Sequence, residues 1–72
     1  MRTINQSDFF EKLKSFDITV SQACELVHQK TGAIIHSKHV LTQLDRQGRL
    51  TEPQCATFGF LFRELEGVYN VG

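Results

Sequence analysis

Residues 18–50 read ITVSQACELVHQKTGAIIHSKHVLTQLDRQGRL, and the local signals in this stretch decide the fold. Thr19 and Gln22 make a T-x-x-Q capping box, in which the two side chains satisfy backbone amides in the first turn of a helix. Gly32 and Gly48 each follow a run of helix-forming residues, where a left-handed glycine commonly ends a helix. The stretch therefore predicts two consecutive helices joined by a short extended segment.

The second of these helices is expected to begin at a Ser37 cap and to end at Gln47. At 100° per residue, Val40, Leu41 and Leu44 fall on one side and predict the face that packs into the core. The polar residues face away from that side. They are Lys38, His39, Thr42, Gln43 and Arg46.

Helices are also predicted on both sides of this pair. The first is expected to begin at Ser7 as its N-cap, with Phe9, Leu13 and Phe16 on one face. The last opens with a second capping box that starts at Thr51. Its apolar stripe consists of Phe58, Leu61, Phe62 and Leu65, and Gly59 within the stripe is expected to permit close helix packing.

The length of 72 residues allows a single domain, residues 1–72, near the lower limit for independent folding. We predict an all-α fold of four short helices with the helix-turn-helix-like pair at its centre. Domains of this size often gain stability by self-association, which keeps a homodimer among the expected assemblies.

Cys24 and Cys55 show no paired-motif spacing, so both are expected to be reduced thiols that serve as small core residues. No charged-then-apolar leader precedes the chain, and no apolar run approaches the length of a bilayer span. These features predict a cytoplasmic protein without a membrane partner.

The charges are unevenly distributed, although eight basic residues balance eight acidic residues over the whole chain. Between His28 and Arg49 the net charge is +3, and the remainder carries −3. Zero net charge argues against a binder that depends on electrostatics alone, but a basic middle between acidic flanks indicates a local cationic surface. The charged residues of the middle are Lys30, Lys38, Arg46 and Arg49 against Asp45.

The central helix pair predicts binding to duplex DNA. A helix-turn-helix unit needs a supporting helix, a turn, and a second helix whose outer face enters the major groove. Arginine, glutamine and threonine side chains can contact base edges, while lysine mostly contacts phosphates. The predicted DNA-binding residues are Lys30, Lys38, His39, Thr42, Gln43, Arg46 and Arg49, with Lys30 and Arg49 near the two ends of the second helix.

The pattern of Thr19, Ala23, Thr31-Gly32, Ser37, Val40-Leu41 and Gly48-Arg49-Leu50 resembles small bacterial and phage helix-turn-helix proteins of the excisionase and MerR-like type. The likeness covers about half of the chain. It implies a phage- or plasmid-type regulator whose second helix reads the major groove through its outer residues. This chain departs from that pattern in the 17 positions between Ala23 and Val40, and no β-hairpin wing follows Leu50.

Two other kinds of site receive little support from the sequence. Cys24 and His28 lie at i and i+4, with His36 and His39 following, but the spacing matches no familiar zinc pattern. A chain of 72 residues also leaves little room for a water-excluding catalytic pocket around Cys24. We therefore predict no metal, no cofactor and no enzymatic activity.

A protein-binding role is the alternative from a different functional class. Phe60 falls off the apolar stripe of the last helix, and Tyr69 follows in the tail. Together with the acidic residues Glu64 and Glu66 they could bind a basic or apolar partner, or self-associate. In this reading the chain is a small adaptor or inhibitor that acts through acidic and aromatic helix faces, and the polar side of the second helix is an ordinary solvated surface.

Overall fold

The computed structural model describes residues 3–67, and these residues form four α-helices. The helices are α1 (Gln6–Ser15), α2 (Val20–Thr31), α3 (Ser37–Gln47) and α4 (Glu52–Gly67). This all-α architecture confirms the prediction. Of the predicted tail, residues 68–72 lie outside the described part of the chain, and Tyr69 is among them.

The boundaries of α2 follow from local chemistry alone. The Thr19 side chain accepts a hydrogen bond from the Gln22 amide at 3.1 Å, and the Gln22 side chain accepts one from the Thr19 amide at 2.8 Å. Gly32 ends the helix in the left-handed region at φ 80°, and Gly48 ends α3 in the same way at φ 72°. The capping box and both glycine stops are confirmed.

Two predicted N-caps are wrong by one or two residues. Asn5, not Ser7, caps α1, because its side chain accepts a hydrogen bond from the Asp8 amide at 2.8 Å. His36, not Ser37, occupies the N-cap position of α3, and no side chain caps that helix. Asn5 is held extended by an antiparallel bridge to Arg49, a tertiary contact that local patterns do not show.

The end of α1 uses an aspartate where glycine is usual. Asp17 has φ 58°, and the backbone amides of Asp17 and Ile18 donate to the carbonyls of Lys14 and Leu13 at 3.0 Å each. This is the double hydrogen bond of a Schellman ending. Aspartate tolerates the left-handed region better than most residues, so the turn forms without glycine.

The core joins aromatic residues from α1 and α4 to small aliphatic residues from α2 and α3. Phe9 is fully buried, and its ring centroid lies 5.0 Å from that of Phe58 and 6.0 Å from that of Phe62. The two cysteines are free thiols, with Cys24 in the core and Cys55 packed against it, as predicted. The other buried residues are Leu13, Ala23, Val27, Val40, Leu44, Leu50 and Leu61.

The segment between α2 and α3 alternates in burial like an extended chain. Ala33 and Ile35 pack against the core, whereas Ile34 between them is 72% exposed. The segment runs back along α2, so that Ser37 Oγ at the start of α3 lies 3.4 Å from Ser21 Oγ in the first turn of α2. The connection is therefore a return segment, and α3 begins near the start of α2.

The first described residues pair with the link between α3 and α4. The Gln6 amide donates to the Gly48 carbonyl at 2.9 Å, and the Leu50 amide donates to the Ile4 carbonyl at 3.0 Å. This pairing connects the start of α1 to the end of α3 and to the first turn of α4. The N-terminus of the described chain is thereby fixed to the body of the protein.

Candidate nucleic-acid interface

The outward face of α3, defined here as Lys38, His39, Thr42 and Arg46, is the candidate interface. All four side chains are exposed, while Val40 on the opposite side is fully buried. Lys38, Thr42 and Arg46 are spaced at i, i+4 and i+8, so they form one line along the helix. The uncovered polar face that the sequence predicts is present in the structure.

The edges of this face differ from the prediction. Leu41, expected to join Val40 in the core, is 45% exposed because it lies at the margin of the buried stripe. Gln43 is only half-exposed, and its Nε2 donates to the Arg49 carbonyl at 3.1 Å. Gln43 therefore connects the end of α3 to the link that follows it. Asp45 is the only carboxylate on α3.

The two flanking cations occupy different kinds of position. Arg49 is exposed and directly follows the glycine that ends α3, close to the outward face along the chain. Lys30 is exposed in the last turn of α2, whereas α3 begins against Ser21 in the first turn. About 14 Å of helix separates Ser21 from Lys30, so Lys30 does not stand at the start of α3 as expected.

The cations of this region carry no ion pair. Within residues 3–67 the only salt bridge joins Lys12 to Glu66, which lie on other helices. Lys30, Lys38, Arg46 and Arg49 therefore have no carboxylate partner inside the described part of the molecule. Their positive charge remains available to an external anion.

The N-terminus of α3 is also open. Asn5, Thr19 and Thr51 side chains cap the other three helices, but α3 has no side-chain cap. Uncapped amides at a helix N-terminus point toward solvent and favour anions, including phosphate. The His36 and His39 rings stand edge to face beside this end, with centroids 5.4 Å apart.

The cysteine and histidine residues do not form a chemical centre. No group of three or more histidine, cysteine or acidic side chains within residues 3–67 is arranged to hold a metal ion. Burial raises the pKa of the Cys24 thiol, which keeps it protonated and unreactive at neutral pH. His28 is engaged locally, since its Nδ1 lies 3.3 Å from the Ala33 carbonyl oxygen.

The residues of the alternative protein-binding surface include two exposed side chains on α4. Phe60 is 37% exposed, and Glu64 is exposed on the same helix. Tyr69 lies outside the described residues.

A concave surface that the sequence did not predict lies between α1 and α4. This groove has a volume of about 750 Å³. Its lining includes the half-buried Cys55 and Gly59 and the buried Phe62, which we call the floor. It also includes exposed acidic side chains, which we call the rim. The sequence feature that could have indicated this groove is the pair of acidic residues Asp8 and Glu11, three positions apart on α1. This pair indicates a groove only when α4 is known to lie beside α1.

Comparison of the chain with models of known protein families, with characterised proteins and with solved structures gave no match. In residues 3–67, none of the helices combines the length and the apolar character that a bilayer span requires. The fold and the site together define a small all-α protein with one cationic, uncovered helix face.

Proposed function

We propose that the protein is a small regulatory protein that binds duplex DNA, with α3 as the helix that enters the major groove. The observation that carries this proposal is the outward face of α3, on which Lys38, Thr42 and Arg46 are exposed. Within residues 3–67, neither Lys38 nor Arg46 forms an ion pair. The resemblance to excisionase and MerR-like proteins points in the same direction.

The dimensions of α3 suit the major groove. Its 11 residues extend over about 16 Å, and a helix with its side chains is about 10–12 Å across. The major groove of B-DNA is about 12 Å wide. A line of three polar side chains along the helix can therefore reach several adjacent base pairs.

The side chains divide into two roles. Arg46 can donate two hydrogen bonds to guanine, and Thr42 can contact a base edge or a thymine methyl group. Lys38 stands beside the uncapped N-terminus of α3, where a phosphate would meet both the ammonium group and backbone amides. His39 adds a further donor or acceptor on the same face.

The charge balance predicts moderate affinity. Three cations, Lys38, Arg46 and Arg49, lie on or directly beside the outward face of α3 and can contact phosphates. The logarithm of the binding constant should therefore fall with the logarithm of salt concentration with a slope of about −3 per protomer. A homodimer, which the small size favours, would double this slope and contact two half-sites about 34–36 Å apart.

The test is electrophoretic or fluorescence-based binding to generic duplex DNA between low and moderate salt. Lys38→Ala with Arg46→Ala should abolish retention at moderate salt, and the weaker binding that remains at low salt should show a salt slope smaller by about 2. Thermal unfolding should change little because both side chains are exposed. Lys14→Ala with Arg63→Ala removes the same charge from α1 and α4 and should leave binding nearly intact. Equal binding by both double variants would refute the proposal.

The alternative function, a phage- or plasmid-type adaptor or inhibitor that binds a protein, has one observation in its favour. The acidic groove between α1 and α4 is concave and apolar at its floor, unlike the face of α3. A protein that showed no DNA affinity at any salt concentration would be assigned to this second class.

A further inference from the structure

The groove between α1 and α4 is bounded by contacts at both ends. At one end the Ile4 amide, just before α1, donates to Cys55 Sγ in the first turn of α4 at 3.4 Å. At the other end Lys12 pairs with Glu66 in the last turn of α4. Both helices therefore advance in the same direction, and the groove follows them for the length of α1.

Aromatic rings set the width of the groove. Phe9 of α1 packs against Phe58 and Phe62 of α4, and Phe16 stacks on Phe62 with ring centroids 5.9 Å apart. Rings of this size keep the two helix backbones apart on the core side. Between the charged residues of α4 that line the groove, Cys55, Ala56 and Gly59 are small, so the space between the helices is left open there.

Gly59 keeps the middle of the groove free of a side chain. A Cβ atom at Gly59 would meet nothing within 4 Å, so close helix packing does not require glycine there, contrary to the prediction. Glycine inside a helix costs about 0.5–1 kcal/mol relative to alanine. With Cys55, Ala56 and Phe62 beside it, Gly59 forms a floor that another backbone can approach closely.

The rim of the groove is acidic. Asp8 and Glu11 stand on the α1 side and Glu52 on the α4 side, opposed by Arg63. The ion pair at the end of the groove is neutral as a unit, so the rim residues that the structure describes carry a net charge of −2. Within residues 3–67, Asp8, Glu11 and Glu52 have no cationic partner. An apolar floor with an uncompensated anionic rim is complementary to a segment that is apolar on one side and basic at its edges.

The length of the groove suits a helix. The ten residues of α1 extend over about 15 Å, which corresponds to roughly three helical turns. An open trough of this length accepts an amphipathic helix along its apolar face, with anchors at i, i+3 or i+4, and i+7. A compact ligand would leave much of the acidic rim uncontacted.

We propose that the groove between α1 and α4 binds a basic amphipathic helix of a partner protein. The apolar residues of that helix would rest on the floor around Gly59 and Phe62, and its lysine or arginine residues would pair with Asp8, Glu11 and Glu52. This binding site uses different helices from the outward face of α3, and it does not depend on DNA binding.

The probe is a fluorescein-labelled peptide of 14 residues, built from lysine, leucine and alanine with leucine on one helix face. Its matched control has glutamate in place of every lysine. Fluorescence anisotropy should show saturable binding of the basic peptide to the full chain and none of the acidic peptide. Absence of binding by the basic peptide would overturn the proposal.

Two kinds of variant locate the site. Gly59→Leu should fill the floor and weaken binding by tenfold or more, and Gly59→Ala provides a milder, well-folded version of the same change. Asp8→Asn with Glu11→Gln should weaken binding roughly tenfold. Glu25→Gln with Asp45→Asn removes two exposed carboxylates outside the groove and should leave binding unchanged.

Three outcomes would contradict the proposal. Equal weakening by the two carboxylate double variants would show non-specific attraction. Full binding by both Gly59 variants would place the peptide elsewhere. Analytical ultracentrifugation that shows a dimer in the native chain and a monomer after Gly59→Leu would assign the groove to a second copy. Lys38→Ala with Arg46→Ala should retain peptide binding, which separates this proposal from the proposed DNA-binding function.

Discussion

The outward face of α3 and the groove between α1 and α4 are opposite in both shape and charge. The face of α3 is convex and polar, and its exposed cations pair with no carboxylate in the described part of the chain. The groove is concave, with an apolar floor, and the described residues of its rim carry a net charge of −2. The net charge of zero is therefore the sum of a cationic surface and an anionic surface, which suit different partners. The total charge alone indicates neither surface.

The two regions also depend on the core in different ways. The face of α3 belongs to one helix, whose polar and apolar sides are set by its own sequence. The groove exists only while Phe9 and Phe16 of α1 pack against Phe62 of α4. Changes to the core should therefore affect the groove first and the face of α3 only through global unfolding.

The largest expected effect comes from Phe9→Ala. Phe9 is fully buried between α1 and α4, and loss of its ring should cost about 3–5 kcal/mol, comparable to the whole stability of a small domain. Urea unfolding followed by circular dichroism measures this loss. Phe10→Ala is the matched control, because Phe10 is 37% exposed and should cost much less. Similar losses for both would mean that Phe9 is not central to the α1–α4 packing.

Substitution of alanine for glycine should change the stability of the protein in opposite directions in the two regions. Gly48 ends α3 at φ 72°, so Gly48→Ala should destabilise the protein by about 1–2 kcal/mol. Gly59 has ordinary helical geometry and open space around it, so Gly59→Ala should stabilise by about 0.5–1 kcal/mol. Thermal and urea unfolding compare them directly. Destabilisation by Gly59→Ala would show that the floor of the groove is already occupied.

A smaller effect is expected from the helix caps. Thr19→Ala and Thr51→Ala should each lower the free energy of unfolding by about 1 kcal/mol, because each hydroxyl accepts a first-turn amide. Ser37→Ala should cost little, since Ser37 is the first residue of α3 and caps nothing. If Ser37→Ala lowered the free energy of unfolding as much as Thr19→Ala, Ser37 would cap α3 as the sequence predicted.

The smallest effect is expected from the ion pair that closes the groove. Lys12 and Glu66 side chains are 45% and 42% exposed, so Glu66→Gln should change stability by about 0–1 kcal/mol, less at high salt. Glu64→Gln on the same helix provides a control without an ion pair. A salt-independent loss of more than about 2 kcal/mol would indicate that the pair is shielded from water.

The local elements of this fold could be predicted because their causes lie within a few residues. The Thr19 and Thr51 capping boxes, the stops at Gly32 and Gly48, and the polar face of α3 each follow from side chains within about one or two helical turns. The wrong N-caps illustrate the limit. Asn5 was missed because its extended backbone is held by Arg49, which is remote in sequence.

Only the tertiary structure shows the features that are formed by two helices together, namely the groove between α1 and α4 and the position of α3 beside α2. Cys55 and Gly59 on α4 face Asp8 and Glu11 on α1 across more than 40 positions of sequence, and no periodic pattern relates them. The return segment likewise places Ser37 against Ser21, and so moves the start of α3 away from Lys30. Hydrogen bonds within a turn of helix are specified by neighbouring residues, whereas the spacing of packed helices depends on the volumes of side chains from the whole core.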